Sequence, residues 1–270
     1  GEAHMHHQMS TSVHLAVAVF MLSPTVATGQ SGAVEDWEMP RTSWGEPDLQ
    51  GVWTSATLTP LERPGPRSDT AELTDERIAE LERQSAEQRA ARDGKPEAGG
   101  VGGYNQVWLD SGTRMTSDRR AALIVDPPDA QIPYQPWAAA VGKLGVNYEQ
   151  YIDPRAACGP GGVPRLALQD VNQILQPWGE DHIVWLFEDH HINRLITMGD
   201  GPAIGEDIKL WNGYSRGHWE GNTLVIEVTN LNGYTWLDDS GNFYTDAARL
   251  TERLTLVDAD TIHYEVTVED

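Results

Sequence analysis

Apolar and polar side chains alternate with a period of two near the C-terminal end of the chain. Residues 223–229 and 261–268 show this pattern most clearly. Such alternation is typical of β-strands that bury one face. Polar turn residues at 220–222 and 258–260 precede the two runs, and they predict two β-hairpins.

Four further apolar segments predict strands, at 48–54, 122–126, 182–188 and 192–198. The segment 182–188 is apolar almost throughout, so we expect it to be buried on both faces. Short strands separated by turns favour an antiparallel meander. The sequence therefore predicts a mainly β fold, either a lipocalin-like barrel or a sandwich.

One segment has helical character instead. Residues 74–92 begin at Thr74, a favourable N-cap, and Leu73 and Ile78 have the spacing of a hydrophobic staple. The later turns carry few apolar residues, so we expect a mostly solvated helix. It lies in a helical and loop insertion at 60–103, which is either a surface feature or a lid over a pocket.

An apolar run at 13–22 predicts a secretory signal peptide. The run is shorter than the roughly 20 residues that span a bilayer, and small residues follow it up to Gly29. Cleavage after Gly29 would place the protein in the periplasm or outside the cell. A buried strand or a short helix is the alternative for this run.

These segments predict the organisation of the chain. Residues 1–29 form the signal peptide, 30–47 an extended lead-in, and 48–270 a single β domain that carries the insertion. Residues 133–165 contain many Pro and Gly and show no regular period, so we expect an irregular arm across the sheet or a functional segment.

Composition narrows the classes of partner. The 270 residues include 41 acidic and 19 basic side chains, a net charge of −22. This charge argues against nucleic acids and anionic membranes as partners, because both are negatively charged. The one cysteine, Cys158, excludes an intramolecular disulfide and a cysteine-based zinc site, and we expect it to be a buried thiol.

Several stretches resemble a family of predicted secreted β-proteins from environmental bacteria. They are residues 213–226, which contain WEGNTLV, residues 251–267, which contain TER and DADTIHYEVT, the GVPR segment at 162–165, and residues 104–133. The WEGNTLV core is the most specific part. The family has no established activity, so the resemblance implies relatedness and export and leaves the function open.

The resemblance also implies candidate site residues. Relatives carry a Glu-x-x-His-x-x-Arg motif, which Glu188, His191 and Arg194 match. Relatives often have histidines near Tyr244 that this chain lacks, which weakens a catalytic role for that loop. Relatives also continue past a final Asp-Pro, so we expect that a terminal segment is missing after Asp270.

The segment Gly51-Val52-Trp53 is similar to the G-x-W opening of lipocalin-type barrels. In those folds the tryptophan closes the base of the barrel. This second resemblance implies the same barrel class as the meander.

Glu188, His191 and Arg194 are the candidate catalytic residues. At one rim of the barrel, Glu188 could orient His191, His191 could act as general acid or base, and Arg194 could hold an anion. A structural cluster that ties the turn to its neighbour is the alternative.

Three strands each place a histidine and a glutamate two residues apart, which puts both on one face. His190, His218 and His263 are therefore the candidate metal ligands for a transition metal. Outward-facing polar residues on half-exposed strands explain the same spacing without a metal. No other cofactor is predicted.

Tryptophans crowd the second half of the chain, at Trp178, Trp185, Trp211, Trp219 and Trp236. They could line a pocket for a flat or apolar ligand, stack on sugar rings, or fill the core. The expected ligand-binding set is Trp185, Trp211, Trp219, Tyr264 and Arg165.

The sequence thus supports three hypotheses of function. The first is an exported β-barrel that binds a small apolar or aromatic molecule. The second is a secreted hydrolase, lyase or isomerase that uses His191, with or without a metal. The third is a structural or cell-surface interaction protein. A large pocket with converging polar groups separates the first two hypotheses from the third.

Overall fold

A computed structural model describes residues 14–22, 37–64, 72–93, 112–142, 152–169, 171–177 and 181–270. Within them ten strands form one mixed sheet that curls into a half-barrel. The spatial order is β2-β4-β5-β6-β7-β8-β9-β10-β1-β3. The predicted mainly β class is confirmed.

The strands are β1 (His14–Leu22), β2 (Gly51–Trp53), β3 (Ile124–Asp126), β4 (Asn172–Leu175), β5 (His182–Phe187), β6 (Asn193–Met198), β7 (Tyr214–Glu220), β8 (Thr223–Thr229), β9 (Arg249–Asp258) and β10 (Thr261–Glu269). The helices are α1 (Asp75–Asp93), α2 (Pro136–Gly142) and α3 (Arg165–Gln169), with 3-10 turns at Pro154–Ala157 and Asp189–His191. No described helix is both long and apolar enough to cross a membrane.

Both predicted hairpins form. Strands β7 and β8 pair antiparallel around Gly221, whose φ of 62° suits the tight turn, and β9 pairs antiparallel with β10. Along β10, buried and half-buried residues alternate without a break, as the period of two predicts.

Two details of the predicted meander are wrong. Strands β6 and β7 run parallel, because the long loop 199–213 carries the chain back before β7 begins, whereas every other neighbouring pair is antiparallel. Strand β5 is buried on alternate residues only and not on both faces, since one side of it is half open to solvent.

The apolar run predicted as a signal peptide forms strand β1 in the full chain. It pairs antiparallel with β10, from His14 opposite Glu269 to Leu22 opposite Thr261, and its other edge pairs with β3. This pairing belongs to the chain with its N-terminal segment in place. The signal peptide itself stays a prediction.

Helix α1 confirms the helical insertion. The backbone amide of Arg77 donates to the hydroxyl of Thr74 at 3.2 Å, as expected of the N-cap. Polar contacts hold one side of the helix, since Glu82 accepts a hydrogen bond from the Met115 amide and Arg89 donates to the Gly112 carbonyl. The end of the predicted insertion, residues 94–103, lies outside the described residues.

The segment 133–165 is less irregular than expected. It contains α2 and the 3-10 turn at Pro154–Ala157, both too short to give a periodic pattern. Cys158 follows that turn with a φ of 58° and is exposed, so the prediction of a buried thiol is wrong.

One hydrophobic core packs against the sheet. Strand residues such as Trp185, Ile226 and Leu254 pack in one cluster with residues outside the strands, including Leu49 and Leu166. Side chains from the strands and from the connecting segments therefore form one hydrophobic core.

Gly162 tests this packing. A Cβ there would overlap the fully buried Thr235 side chain, and its φ is 81°. We expect Gly162→Ala to lower the free energy of unfolding by about 3 kcal/mol, because overlap adds to backbone strain. Urea denaturation measures the change.

Gly221→Ala is the matched control, since Gly221 also has a positive φ but its Cβ would meet nothing within 4 Å. It should cost roughly 1 kcal/mol, from strain alone. Equal losses in the two variants would contradict the packing argument.

Candidate functional site

Two opposite charges meet inside the half-barrel. Arg194 on β6 donates to both carboxylate oxygens of Glu252 on β9, at 3.0 and 2.5 Å. Their side chains are 1% and 0% exposed. Arg194 also donates to the Ser215 hydroxyl at 3.0 Å, and the Tyr264 hydroxyl donates to Glu252 at 2.6 Å. The cluster joins β6, β7, β9 and β10.

Aromatic rings enclose this cluster. The Arg194 guanidinium lies 5.4 Å from the centre of the Trp185 ring, a cation–π distance. Tyr264 packs edge-on against the same ring at 6.1 Å, and the Trp185 indole donates to Asn172 at 2.8 Å. The Nε of Arg194 is the one nitrogen of this guanidinium that finds no described hydrogen-bond partner.

Burial and nearby charges together shift the pKa values of these groups. Burial disfavours the Arg194 cation, but the Glu252 carboxylate outweighs it and raises the pKa of the guanidinium. Burial raises the pKa of Tyr264 well above its ordinary value, and the charge of Glu252 raises it further. Burial also raises the pKa of Tyr244. Both tyrosines therefore stay protonated in the folded chain.

The structure does not assemble the proposed catalytic set. Glu188 and His191 are exposed around the 3-10 turn after β5, whereas Arg194 is buried and bonded to Glu252. Arg194 takes this position because it shares the inward face of β6 with Ile196. The described contacts thus join Arg194 to Glu252, and a catalytic role for Glu188, His191 and Arg194 stays a prediction.

The predicted ligand-binding residues lie partly in the core and partly at the surface. Trp185 and Tyr264 are core residues, and Trp219 packs half-buried against the core. Arg165 is buried and bonded to both carboxylate oxygens of Asp153 at 2.9 Å and to Asp239. Only Trp211 of this set is exposed. The cavity described below has none of these five side chains in its lining.

The candidate metal ligands lie on separate elements. His190 is exposed in the turn after β5, His218 is exposed on β7 beside Glu220 at 3.3 Å, and His263 is half-buried on β10. Among the described residues no group of three or more His, Cys, Asp or Glu side chains could hold a metal ion. Trp178 lies outside the described residues.

A cavity that sequence reasoning did not locate lies beside α1. It has a volume of about 450 Å³, within the range of small-molecule sites. Most of its lining is apolar: Leu58, Pro60, Pro64, Leu73, Leu81, Met115 and Ala121. The polar lining comprises Arg63, Arg77, Gln84, Ser85 and Gln88.

Backbone hydrogen bonds fix the walls of this cavity. The amide of Leu58 donates to Arg114 at 2.8 Å, and the amide of Leu73 donates to Arg119 at 2.8 Å. The amide of Leu123 donates to the Pro60 carbonyl at 2.8 Å. Three segments distant in sequence therefore form one frame. Of the two alternatives for the insertion, a lid over a pocket is the one that resembles this arrangement. Leu81, an apolar residue on the otherwise polar helix α1, is the local feature of the sequence that indicates it.

No family model, curated protein or solved structure matches the chain.

The buried ion pair yields a stability prediction. We expect Glu252→Gln to lower the free energy of unfolding by about 3–5 kcal/mol, because it leaves the Arg194 cation buried without an anion. Urea denaturation at pH 7 measures the loss. Glu220→Gln is the control, because its bridge to Arg253 is exposed and should matter little. Similar losses in the two variants would refute the role assigned to the buried pair.

The buried tyrosines yield a pH prediction. Above about pH 10 an unfolded tyrosine loses its proton while Tyr244 and Tyr264 keep theirs, so the unfolded state gains stability as the pH rises. The free energy of unfolding should fall by roughly 1.4 kcal/mol per pH unit for each such tyrosine.

Urea denaturation at several pH values between 9 and 11 measures how the free energy of unfolding falls with pH. Tyr264→Phe should make this fall less steep by the contribution of one tyrosine. An unchanged slope in that variant would show that Tyr264 does not ionise differently in the two states.

Proposed function

We propose that the protein binds a small, mainly apolar molecule with one negative charge in the cavity beside α1. The observation that carries the proposal is the lining itself, which combines a continuous apolar wall with two arginines. Apolar surface supplies affinity and a few polar groups fix the orientation of a ligand. This keeps the binding function expected from the sequence but moves the site out of the barrel.

The charge of the ligand follows from the arginines. The chain has 41 acidic residues against 19 basic ones. Two guanidinium groups at one cavity therefore differ in charge from the acidic composition of the chain as a whole. The Arg77 side chain makes no hydrogen bond to another described residue. The charge of Arg77 helps to lower the pKa of the nearby Glu80 carboxyl, but Glu80 is hydrogen-bonded to Arg83 and not to Arg77, at 2.7–3.1 Å. Arg77 is thus available to a carboxylate or sulfonate.

The proposal includes export, as the apolar run at 13–22 and the small residues before Gln30 predict. It does not extend to catalysis. His191 is exposed, whereas Arg194 is buried and paired with Glu252.

Calorimetry with dodecanoate tests the proposal on the full chain. We expect saturable binding of about one equivalent, and Arg77→Gln should weaken it about tenfold, a loss of ~1.4 kcal/mol. Leu81→Glu should abolish binding, because it places a carboxylate against the apolar wall.

Arg83→Gln is the matched control, since it removes the same charge from the same helix outside the cavity lining. Dodecanol, which lacks the charge, should bind equally to the wild-type protein and to the Arg77 variant. The proposal fails if Leu81→Glu binds dodecanoate as well as the wild-type protein.

A further inference from the structure

A pair of exposed aromatic rings lies on two loops that flank strands β7 and β8. Trp211 and Tyr234 are 43% and 59% exposed, although large apolar rings are usually buried. We propose that these rings form a stacking site for a neutral carbohydrate, with Lys209 and Asp246 at its rim. We name the two rings the aromatic platform. This site is separate from the cavity beside α1 and does not depend on the function proposed for it.

The geometry of the platform suits a sugar ring. The centres of the two rings are 5.9 Å apart and their planes are inclined at 47°. The rings are therefore tilted toward each other and are not stacked in parallel. One face of a pyranose ring presents C–H groups, which pack against the electron-rich face of an aromatic ring. Trp and Tyr also carry a polar edge that tolerates water when no ligand is bound.

Hydrogen bonds tie together the two loops that carry the aromatic platform. The Leu210 amide donates to the Asn230 carbonyl at 2.8 Å, and the Asn232 amide donates back to Leu210 at 3.0 Å. The Asn230 side chain donates to the Ile208 carbonyl at 2.9 Å, and the Tyr234 amide donates to the Asn232 side chain at 3.1 Å. Loops that are already tied together lose less conformational entropy on binding a ligand than separate mobile loops.

The rim supplies a donor and an acceptor side by side. The Lys209 ammonium donates to the Asp246 carbonyl at 2.7 Å and lies 3.6 Å from the Asp246 carboxylate. The backbone of Asp246 also lies directly against Gly233, the residue before Tyr234. Neighbouring hydroxyls of a sugar can accept from an ammonium and donate to a carboxylate, whereas an apolar ligand can use neither group.

The overall charge favours a neutral ligand. At a net charge of −22 the surface repels anionic sugars and anionic lipids. Glu206 and Asp207 add two exposed carboxylates to the same loop as Trp211. A neutral oligosaccharide gains the stacking and the rim hydrogen bonds without that repulsion.

Titration of the full chain with cellohexaose and maltohexaose, followed by tryptophan emission and by calorimetry, tests the proposal. We expect saturable binding of at least one of the two. Trp211→Ala and Tyr234→Ala should each weaken it about tenfold or more. Asp246→Asn should weaken it less, because the amide still accepts a hydrogen bond.

Trp137→Ala is the matched control, since Trp137 is an exposed tryptophan on α2, outside the platform. Its binding should equal that of the wild-type protein, and circular dichroism should confirm that all variants fold. Binding that survives in both platform variants overturns the proposal, and so does an absence of binding by both oligosaccharides.

Ile208 and Leu210 enlarge the apolar area beside the rings. Light scattering therefore accompanies the titration. Self-association that Trp211→Ala abolishes, without any sugar binding, would assign the platform to contact between two copies of the chain. Partition onto phosphatidylcholine vesicles that the same variant abolishes would assign it to a lipid surface. Either result would replace the carbohydrate proposal.

Discussion

The Arg194 guanidinium is held inside the curled sheet by the Glu252 carboxylate, and neither charge has access to water. Removing two charges from water is costly, so the pair persists because Ser215, Tyr264 and the ring of Trp185 complete its surroundings. These groups come from strands β5, β6, β7, β9 and β10. A change in the curvature of the sheet would separate them, so this cluster fixes how the strands face one another.

Short sequence patterns predicted the hairpins and the helix, because interactions between residues close in sequence form these elements. The two C-terminal hairpins followed from alternating side chains and from turn residues such as Gly221, and α1 followed from its cap at Thr74. The parallel pairing of β6 with β7 could not be predicted in this way. The direction of β7 depends on the path of the loop 199–213, which shows no periodic pattern. Alternation of side chains along a strand is the same whether the strand pairs parallel or antiparallel.

The buried ion pair left a signal in the sequence that the pattern analysis did not use. Glu252 stands between Leu250 and Leu254 on the apolar face of β9, and Arg194 shares the inward face of β6 with Ile196. Two opposite charges on apolar faces predict a buried pair. The cavity beside α1 left a weaker signal in the sequence. Its walls come from segments far apart along the chain, and only the fold brings them together.

Strand β1 connects the fate of the N-terminal segment to the architecture of the sheet. It lies between β10 and β3, and β3 pairs with no other described strand. Cleavage after Gly29 would thus strip the partner from one whole edge of β10 and leave β3 without a neighbour at the same moment. Exposed strand edges recruit new strands. Removal of the N-terminal segment would therefore change the strand pairing of the sheet as well as accompany export.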